Sequence, residues 1–214
     1  FAVLMRINAL TRAYEQEFAK YNIPYRVFGG FKFYERKEIK DLLAYLRVIS
    51  NPFDSEAVTR IVNVPKRGIG ARTVEVLEEY ANQTQLSVYD AVLDVDELPL
   101  NAGSKQKVRA FGTLLKELVV KGAEMSADEL VRDVINDTDI LSMYADDSDE
   151  SINKKANIDG FVNSVDEFCR MNKGATLADF LNQVTLSSDT DDMDESDYVT
   201  LATVHSVMGL EFKV

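Results

Sequence analysis

The spacing of hydrophobic residues changes along this chain, and the change separates its two ends from its middle. The apolar run at residues 2–5 predicts a buried strand, residues 12–21 predict a helix, and residues 23–28 predict a second strand. Residues 198–203 alternate between apolar and polar and predict a third strand. Strand, helix and strand with short links form the unit of a parallel sheet. We therefore expect one partial α/β parallel sheet, assembled from both ends of the chain.

The middle of the chain has the spacing of helices instead. Apolar residues recur every three or four positions over most of residues 31–195, which is typical of amphipathic helices. The predicted helices cover residues 35–49, 55–62, 72–81, 88–93, 105–120, 127–135, 153–171 and 177–186. Residues 189–197 are strongly acidic and predict a flexible linker. The fold class is thus predicted to be mainly α, with a helical domain inserted into the partial sheet.

One loop between two predicted helices combines the features of a phosphate site. Gly68 and Gly70 flank a single apolar residue, Ile69, and let the backbone turn tightly. A predicted helix starts directly after them, and the free N–H groups at a helix start attract anions. Lys66 and Arg67 add two cations beside the turn. We predict that this loop binds phosphate; the alternative interpretation is a helix-loop-helix corner with incidental surface charge.

Composition restricts the class of protein. With 214 residues and 46% hydrophobic residues, the chain is long enough to bury a core. The single cysteine, Cys169, excludes an internal disulfide and predicts a structural thiol in a reducing cytoplasm. Membrane contact is not expected, because no apolar run is long enough to span a bilayer and no signal peptide is visible. The sequence also contains no Gly-x-x-x-x-Gly-Lys-Ser/Thr loop, no metal-ligand cluster and no nucleophile paired with a base.

Charge is distributed unevenly along the chain. The net charge of −12 argues against a simple nucleic-acid-binding domain. Residues 20–73, however, carry eleven basic and only five acidic residues, whereas residues 128–150 and 189–197 are strongly acidic. This polarity is expected to orient the protein on DNA with its basic side inward. The alternative is that the acidic segments only keep the protein in solution.

Several residues near the N-terminal sheet segment have two interpretations. Thr11 is predicted to cap the first helix. Arg12 is predicted to pair with Glu15 at helical spacing, and the alternative is a contact with DNA. Three aromatic residues alternate with cations after the second strand, and we expect them to pack at a domain junction rather than stack on bases: Phe31, Phe33 and Tyr34.

Three segments carry a family resemblance. Residues 29–52 and 63–70 read GGFKFYERKEIKDLLAYLRVISNP and NVPKRGIG. They resemble the start of the 2B subdomain of PcrA/UvrD/Rep-type DNA helicases of superfamily 1. Residues 1–18, FAVLMRINALTRAYEQEF, resemble motif IVa of that family, and residues 198–214, YVTLATVHSVMGLEFKV, resemble motif V. The order and separation of the segments match the family.

The resemblance implies a domain organisation and roles for single residues. Residues 1–30 and 196–214 would belong to the RecA-like 2A subdomain, and residues 31–195 would form a helical 2B subdomain with a helix-hairpin-helix-like loop. Duplex DNA would contact that loop and the hydroxyl that follows it: Lys66, Arg67, Gly68, Ile69, Gly70 and Thr73. Single-stranded DNA would contact three residues: Arg6, Asn8 and His205. The ATP-linked motif V residues would be Thr203, His205, Gly209 and Glu211, with Glu211 bonding the ribose. The family usually has lysine where this chain has Met208, which leaves the coupling to ATP in doubt.

For the complete protein, the resemblance implies an ATP-dependent helicase that moves 3′ to 5′ on single-stranded DNA and unwinds duplex in repair or replication. ATP and Mg²⁺ would serve the full-length enzyme, and its partners would be DNA and the remainder of the helicase chain. Both ends of this chain look cut, so we expect an internal fragment that binds no cofactor and hydrolyses no ATP alone. One alternative is a non-catalytic interaction or autoregulatory module that uses acidic helices such as residues 127–149. Another is an AddA/RecB-like helicase-nuclease subunit.

Overall fold

The computed structural model describes residues 1–6, 10–28, 33–189 and 198–204. The chain divides into a first unit of residues 1–40, 146–164 and 182–214 and a second unit of residues 41–145 and 165–181. Its strands and helices are β1 (Ala2–Met5), α1 (Thr11–Lys20), β2 (Tyr25–Phe28), α2 (Lys37–Ser50), α3 (Ser55–Ile61), α4 (Ala71–Thr84), α5 (Val88–Leu93), α6 (Ala102–Glu124), α7 (Ala127–Thr138), α8 (Asp149–Met171), α9 (Leu177–Asp189) and β3 (Val199–Thr203). The predicted class, mainly helical with a small parallel sheet, is confirmed at this level.

The sheet belongs to the first unit and is built from both ends of the described chain. Its strand order is β1-β3-β2, and both pairings are parallel. β3 is therefore central, and its Leu201 and Ala202 are fully buried. The register places Met5 opposite Thr203, and the amide of Val204 donates to the Met5 carbonyl at 2.9 Å. The prediction that the last strand joins the first two is confirmed.

Five buried polar side chains form a hydrogen-bonded cluster in the first unit, which we call the Arg36 network: Thr11, Glu15, Arg36, Glu38 and Asn157. Arg36 donates from Nη1 to Asn157 Oδ1 at 2.7 Å and from Nη2 to the Thr11 hydroxyl at 2.6 Å. Its guanidinium also pairs with Glu15 at 3.6 Å, and Asn157 Nδ2 donates to Glu38 Oε1 at 2.5 Å. Because these residues come from α1, α2, α8 and the turn before α2, the network joins segments that are distant in sequence.

Phe33 packs directly on this network. It is 3% exposed, and its amide donates to Glu15 Oε2 at 2.9 Å. The guanidinium carbons of Arg12 and Arg36 each lie 5.2 Å from the centre of its ring. The prediction that this aromatic residue packs rather than stacks on bases is confirmed, while Phe31 lies outside the described residues. Thr11, predicted as a cap, is the first residue of α1, and its hydroxyl donates to Glu15 Oε1 at 2.6 Å.

The second unit is formed by helices around an apolar core. Its largest fully buried side chains are Tyr45, Phe111, Phe180, Leu42, Leu46, Ile61, Leu77, Leu98, Leu115 and Leu118. Gly122 allows α6 to lie close to α2, because a Cβ atom there would overlap Cγ2 of Ile49. The sequence shows this position only as a glycine two residues after the predicted end of α6.

Five helices begin at residues other than those predicted: α1 and α4 each begin one residue earlier, and α2, α6 and α8 differ by two to four residues. α6 begins at Ala102, since the side chain of Asn101 accepts a hydrogen bond from the Ser104 amide at 2.8 Å. α8 begins at Asp149, where the Ser148 hydroxyl accepts from the Ser151 amide at 3.1 Å. α2 begins at Lys37, because a 3₁₀ turn occupies Phe33–Glu35.

Candidate nucleic-acid interface

Residues 63–70, here called the glycine loop, lead from the end of α3 to the start of α4 in the second unit. The chain turns at Gly68, whose φ of +69° lies in the left-handed region that glycine tolerates. The peptide bond between Val64 and Pro65 is cis. Gly70 is extended, with φ −82° and ψ 166°, and directly precedes the first residue of α4. The loop thus leads straight into the N-terminus of a 14-residue helix.

Asn63 closes the glycine loop from the inside. Its Oδ1 atom accepts hydrogen bonds from the amides of Arg67 at 2.7 Å and Ile69 at 3.3 Å. Ile69 is only 2% exposed, so its side chain anchors the loop in the core. Two loop amides are therefore already satisfied within the protein. Sequence reasoning missed Asn63, although an asparagine before a turn is a known signal for such a bond.

The guanidinium of Arg67 points into the loop. Nη1 donates to the carbonyl oxygens of Ile61 and Val64, both at 3.0 Å, and lies 3.3 Å from the carbonyl oxygen of Pro65. Nη2 donates to the hydroxyl of Tyr45 at 2.6 Å, and that hydroxyl donates to the Val64 carbonyl at 2.5 Å. Arg67 thus supports the shape of the loop. The sequence had suggested a cation on the surface beside the turn. The structure instead places this side chain against the loop carbonyls and Tyr45.

The outward side of the loop presents hydrogen-bond donors. Lys66, Gly68 and Gly70 are exposed. The amides of Thr73 and Val74 bond back to the Gly70 carbonyl, at 2.9 and 3.3 Å. No side chain caps α4, and within the described chain four amides of the turn and first helical residues have no acceptor: Gly68, Gly70, Ala71 and Arg72. A helix N-terminus carries roughly half a positive elementary charge, so these donors and Lys66 together favour an anion.

Arg72 and the predicted contact Thr73 follow at the start of this helix and differ in exposure. Arg72 is exposed, and its Nη1 atom pairs with Glu75 at 2.9 Å. Thr73 is 8% exposed, which leaves its hydroxyl little access to a ligand. The contact predicted for Thr73 stays a prediction, and the geometry gives it less support than the contact predicted for Lys66.

Part of the positive charge of residues 20–73 is already paired within the protein. Each arginine from the turn before α2 to the first turn of α4 has a partner within the protein: Arg36 (Glu15), Arg47 (Asp54 and Glu56), Arg60 (Asp41), Arg67 (loop carbonyls) and Arg72 (Glu75). Residue counting therefore overstates the positive charge that this segment offers to DNA. Lys66 lies on the outward side of the loop and is exposed.

Sequence reasoning also missed Lys107, which lies on α6. Its Nζ atom donates to the carbonyl oxygen of Gly68 at 3.0 Å. The sequence places Lys107 in the predicted helix of residues 105–120. No sequence signal, however, indicated that the face of α6 bearing Lys107 meets the glycine loop.

Two of the predicted single-strand and ATP-linked residues, Arg6 and Thr203, lie at one edge of the sheet. Arg6 follows β1 and is exposed, and Thr203 ends β3 directly opposite Met5. The carboxyl ends of two neighbouring parallel strands thus meet, which is where ligands bind in open α/β sheets. The remaining predicted residues of this region lie outside the described residues: Asn8, His205, Gly209 and Glu211, together with Met208.

Other classes of site have less support in the part of the chain that the structure describes. Those residues contain no group of three or more side chains able to hold a metal ion. None of their helices is long and apolar enough to cross a membrane. Cys169 is half-buried, and burial raises the pKa of its thiol, which disfavours the nucleophilic thiolate. This agrees with the predicted structural role of Cys169.

Comparisons with known proteins give one consistent result. Residues 1–214 match the family described as UvrD-like helicase C-terminal domain. The chain is 38% identical over 222 residues to the ATP-dependent DNA helicase PcrA of Staphylococcus epidermidis. It is 38% identical over 221 residues to the protein of the same name in Bacillus subtilis and over 216 residues to that in Staphylococcus aureus. Each alignment covers 100% of this chain but 30% of the relative, so the chain spans about a third of the length of these relatives.

Proposed function

Because this chain belongs to the UvrD-like helicase family, we propose that it is part of an ATP-dependent DNA helicase and supplies contacts to duplex DNA. The relatives that cover the entire chain are named ATP-dependent DNA helicases. We further propose translocation from 3′ to 5′ on single-stranded DNA, action in repair or replication, and a location in the bacterial cytoplasm. These finer statements come from the resemblance of the sequence motifs.

The domain organisation is part of the same proposal. Residues 1–30 and 196–214 would form part of a RecA-like 2A subdomain, and residues 31–195 a helical 2B subdomain. The parallel pairing of β1 and β2 with β3 supports the first assignment, because strands from both ends of the chain share one sheet. The helices between those strands support the second assignment.

The glycine loop is the proposed site of duplex contact, and its unsatisfied outward donors are the observation that carries this proposal. Lys66 and the amides of Gly68, Gly70, Ala71 and Arg72 would bind phosphates of the DNA backbone. Such contacts hold a duplex in place without reading its sequence. Arg67, Asn63 and Tyr45 would act indirectly, by fixing the loop in the conformation that exposes these donors.

The sheet edge is the proposed site for single-stranded DNA and for part of the nucleotide site. Arg6 and Asn8, with His205, would contact the single strand, and Thr203, Gly209 and Glu211 would belong to the ATP-linked motif. ATP with Mg²⁺ would supply the free energy for translocation in the complete enzyme. The sequence holds no Walker A loop, so we expect no DNA-stimulated ATP hydrolysis from this chain alone.

Fluorescence anisotropy of labelled DNA tests the proposed duplex contact. We would titrate the 214-residue chain onto a blunt duplex, a 3′-tailed junction and a single strand, over a series of salt concentrations. The control for Lys66→Ala is Lys116→Ala, because Lys116 is an exposed lysine on α6. Far-UV circular dichroism would confirm that each variant is folded.

The expected result is duplex binding that weakens with salt and weakens further in Lys66→Ala but not in Lys116→Ala. Removal of one phosphate contact should reduce the slope of log K against log salt by about 0.9. Absence of duplex binding at low salt, or equal binding by the Lys66 and Lys116 variants, would overturn the assignment of the glycine loop. The non-catalytic interaction module would then be the better hypothesis.

A further inference from the structure

Lys107 reaches the glycine loop from another helix, and the fit depends on the absence of a side chain at Gly68. The Nζ atom of Lys107 donates to the Gly68 carbonyl at 3.0 Å. A Cβ atom at position 68 would lie only 2.9 Å from that nitrogen. Gly68 therefore suits this arrangement in two ways, through its φ of +69° and through the room that it leaves for the ammonium group.

A second contact fixes the face of α6 that meets the loop. Phe111 lies one turn after Lys107, and its ring centre is 5.1 Å from the guanidinium carbon of Arg67. Phe111 is fully buried, whereas Lys107 is exposed. Two residues on one helical face thus contact two consecutive residues of the loop. Lys107 is held beside the loop by the packing of the whole helix.

The ammonium group of Lys107 can still bind an anion in this position. A lysine ammonium has three N–H donors, and the Gly68 carbonyl accepts from one of them. The same bond occupies an acceptor oxygen that would otherwise repel a phosphate at this turn. Because the bond already holds the side chain at the loop, less conformational entropy is lost when a ligand binds.

We propose that Lys107 is a second cation of the phosphate-binding surface and contacts the phosphodiester backbone of duplex DNA alongside Lys66. This inference rests on the proposed function of the glycine loop. It extends the surface from one loop to two segments, the glycine loop and the N-terminal half of α6. The competing role is structural, in which Lys107 only holds the Gly68 carbonyl.

Salt dependence separates the two roles, because a direct phosphate contact changes the salt slope and a structural contact does not. We would measure binding of the 214-residue chain to a blunt duplex by anisotropy, with the variants Lys107→Ala, Lys66→Ala and Lys116→Ala. Lys116 lies on the same helix as Lys107 and is also exposed, so its replacement removes the same charge away from the loop. Circular dichroism would confirm equal helical content.

We expect Lys107→Ala to weaken binding about three- to tenfold, the effect of one net hydrogen bond, and to reduce the salt slope by about 0.9. Lys116→Ala should change neither quantity. If Lys107→Ala behaves like Lys116→Ala while Lys66→Ala weakens binding, the inference is overturned and the proposed function stands. Weaker binding of Lys107→Ala with an unchanged salt slope would assign Lys107 the structural role, and this result would also overturn the inference. Absence of binding by the unaltered chain would overturn both proposals.

Discussion

The Arg36 network and the glycine loop each surround one arginine, but they use its donors differently. Arg36 is 6% exposed and bonds to side chains, including the acidic side chain of Glu15 at 3.6 Å. Arg67 is half-buried, and its partners are neutral: three backbone carbonyls and the Tyr45 hydroxyl. Burial lowers the pKa of Arg36, and the carboxylates of Glu15 and Glu38 oppose that shift.

The two regions differ in which of their groups remain available to a ligand. In the Arg36 network, donors and acceptors from distant segments satisfy one another, so this cluster joins parts of the first unit. In the glycine loop, the satisfied bonds lie inside and the unsatisfied amides lie outside. We therefore expect changes in the Arg36 network to affect stability, and changes on the outward side of the loop to affect binding.

The largest expected effect follows replacement of Arg36. Arg36→Ala should destabilise the first unit by about 3–5 kcal/mol, because it leaves a buried carboxylate without its cation. Hydrogen exchange of the α1 amides would report this loss locally. The control is Arg26→Ala on β2, an exposed arginine whose replacement should change stability by less than about 0.5 kcal/mol. Equal protection of α1 in both variants would contradict the role assigned to the network.

Replacement of Arg67 should have a smaller effect on stability. Arg67→Ala removes charge-assisted bonds to loop carbonyls from a half-buried site, so we expect a loss of about 1–3 kcal/mol in the second unit. Arg67→Lys should not restore it, because an ammonium cannot reproduce the fork of the guanidinium. Urea unfolding would measure both variants beside Arg72→Ala, which removes only an exposed ion pair with Glu75. A loss no larger than that of Arg72→Ala would refute the supporting role.

Replacement of Gly68 should combine backbone strain with loss of the Lys107 contact. Gly68→Ala places a Cβ at a φ of +69°, which costs about 1 kcal/mol, and displaces Nζ of Lys107. Gly174→Ala is a matched control, since Gly174 has a φ of +84° but open space where its new Cβ would lie. Both variants should lose similar stability in urea unfolding. Only Gly68→Ala should also weaken duplex binding, and equal duplex binding by the two variants would argue against the contact.

The smallest expected effect concerns Tyr45 and depends on pH. Tyr45→Phe removes the bridge between Arg67 and the Val64 carbonyl and should cost about 1 kcal/mol at neutral pH. Burial raises the pKa of Tyr45, and the Arg67 guanidinium opposes that shift. Above pH 10 or so, the unfolded chain therefore releases this proton while the folded chain retains it, and stability falls as pH rises. The stability difference between Tyr45→Phe and the unaltered chain should then shrink, and a constant difference up to about pH 11 would contradict this linkage.

Local patterns in the sequence predicted the elements well, because strands and helices depend on spacing within one segment. The strand Ala2–Met5 and the helix Val88–Leu93 have the predicted bounds, and the parallel third strand lies where the alternation indicated. α6 is longer than predicted, since Asn101 caps it three residues earlier and Gly122 does not end it. A glycine in a helix can mark a close approach as well as a stop.

The candidate site was predicted only in part, because side-chain direction depends on tertiary contacts. The glycines, Lys66 and the following helix were identified from their order in the sequence. Arg67 stands next to Lys66 in that order, yet Tyr45 and three carbonyls draw its guanidinium inward. Lys107 is 39 residues from Gly68 and could be connected to the loop only through the packing of α6.

The outward Lys66 and the inward Arg67 provide the decisive comparison for the proposed duplex contact. The measurement is the salt slope of blunt-duplex binding for the unaltered chain, Lys66→Ala and Arg67→Ala. Lys66→Ala should lower the slope by about 0.9, whereas Arg67→Ala should weaken binding with an unchanged slope, because Lys66 contacts phosphate and Arg67 does not. A slope that falls in Arg67→Ala and stays constant in Lys66→Ala would overturn the roles proposed for both residues.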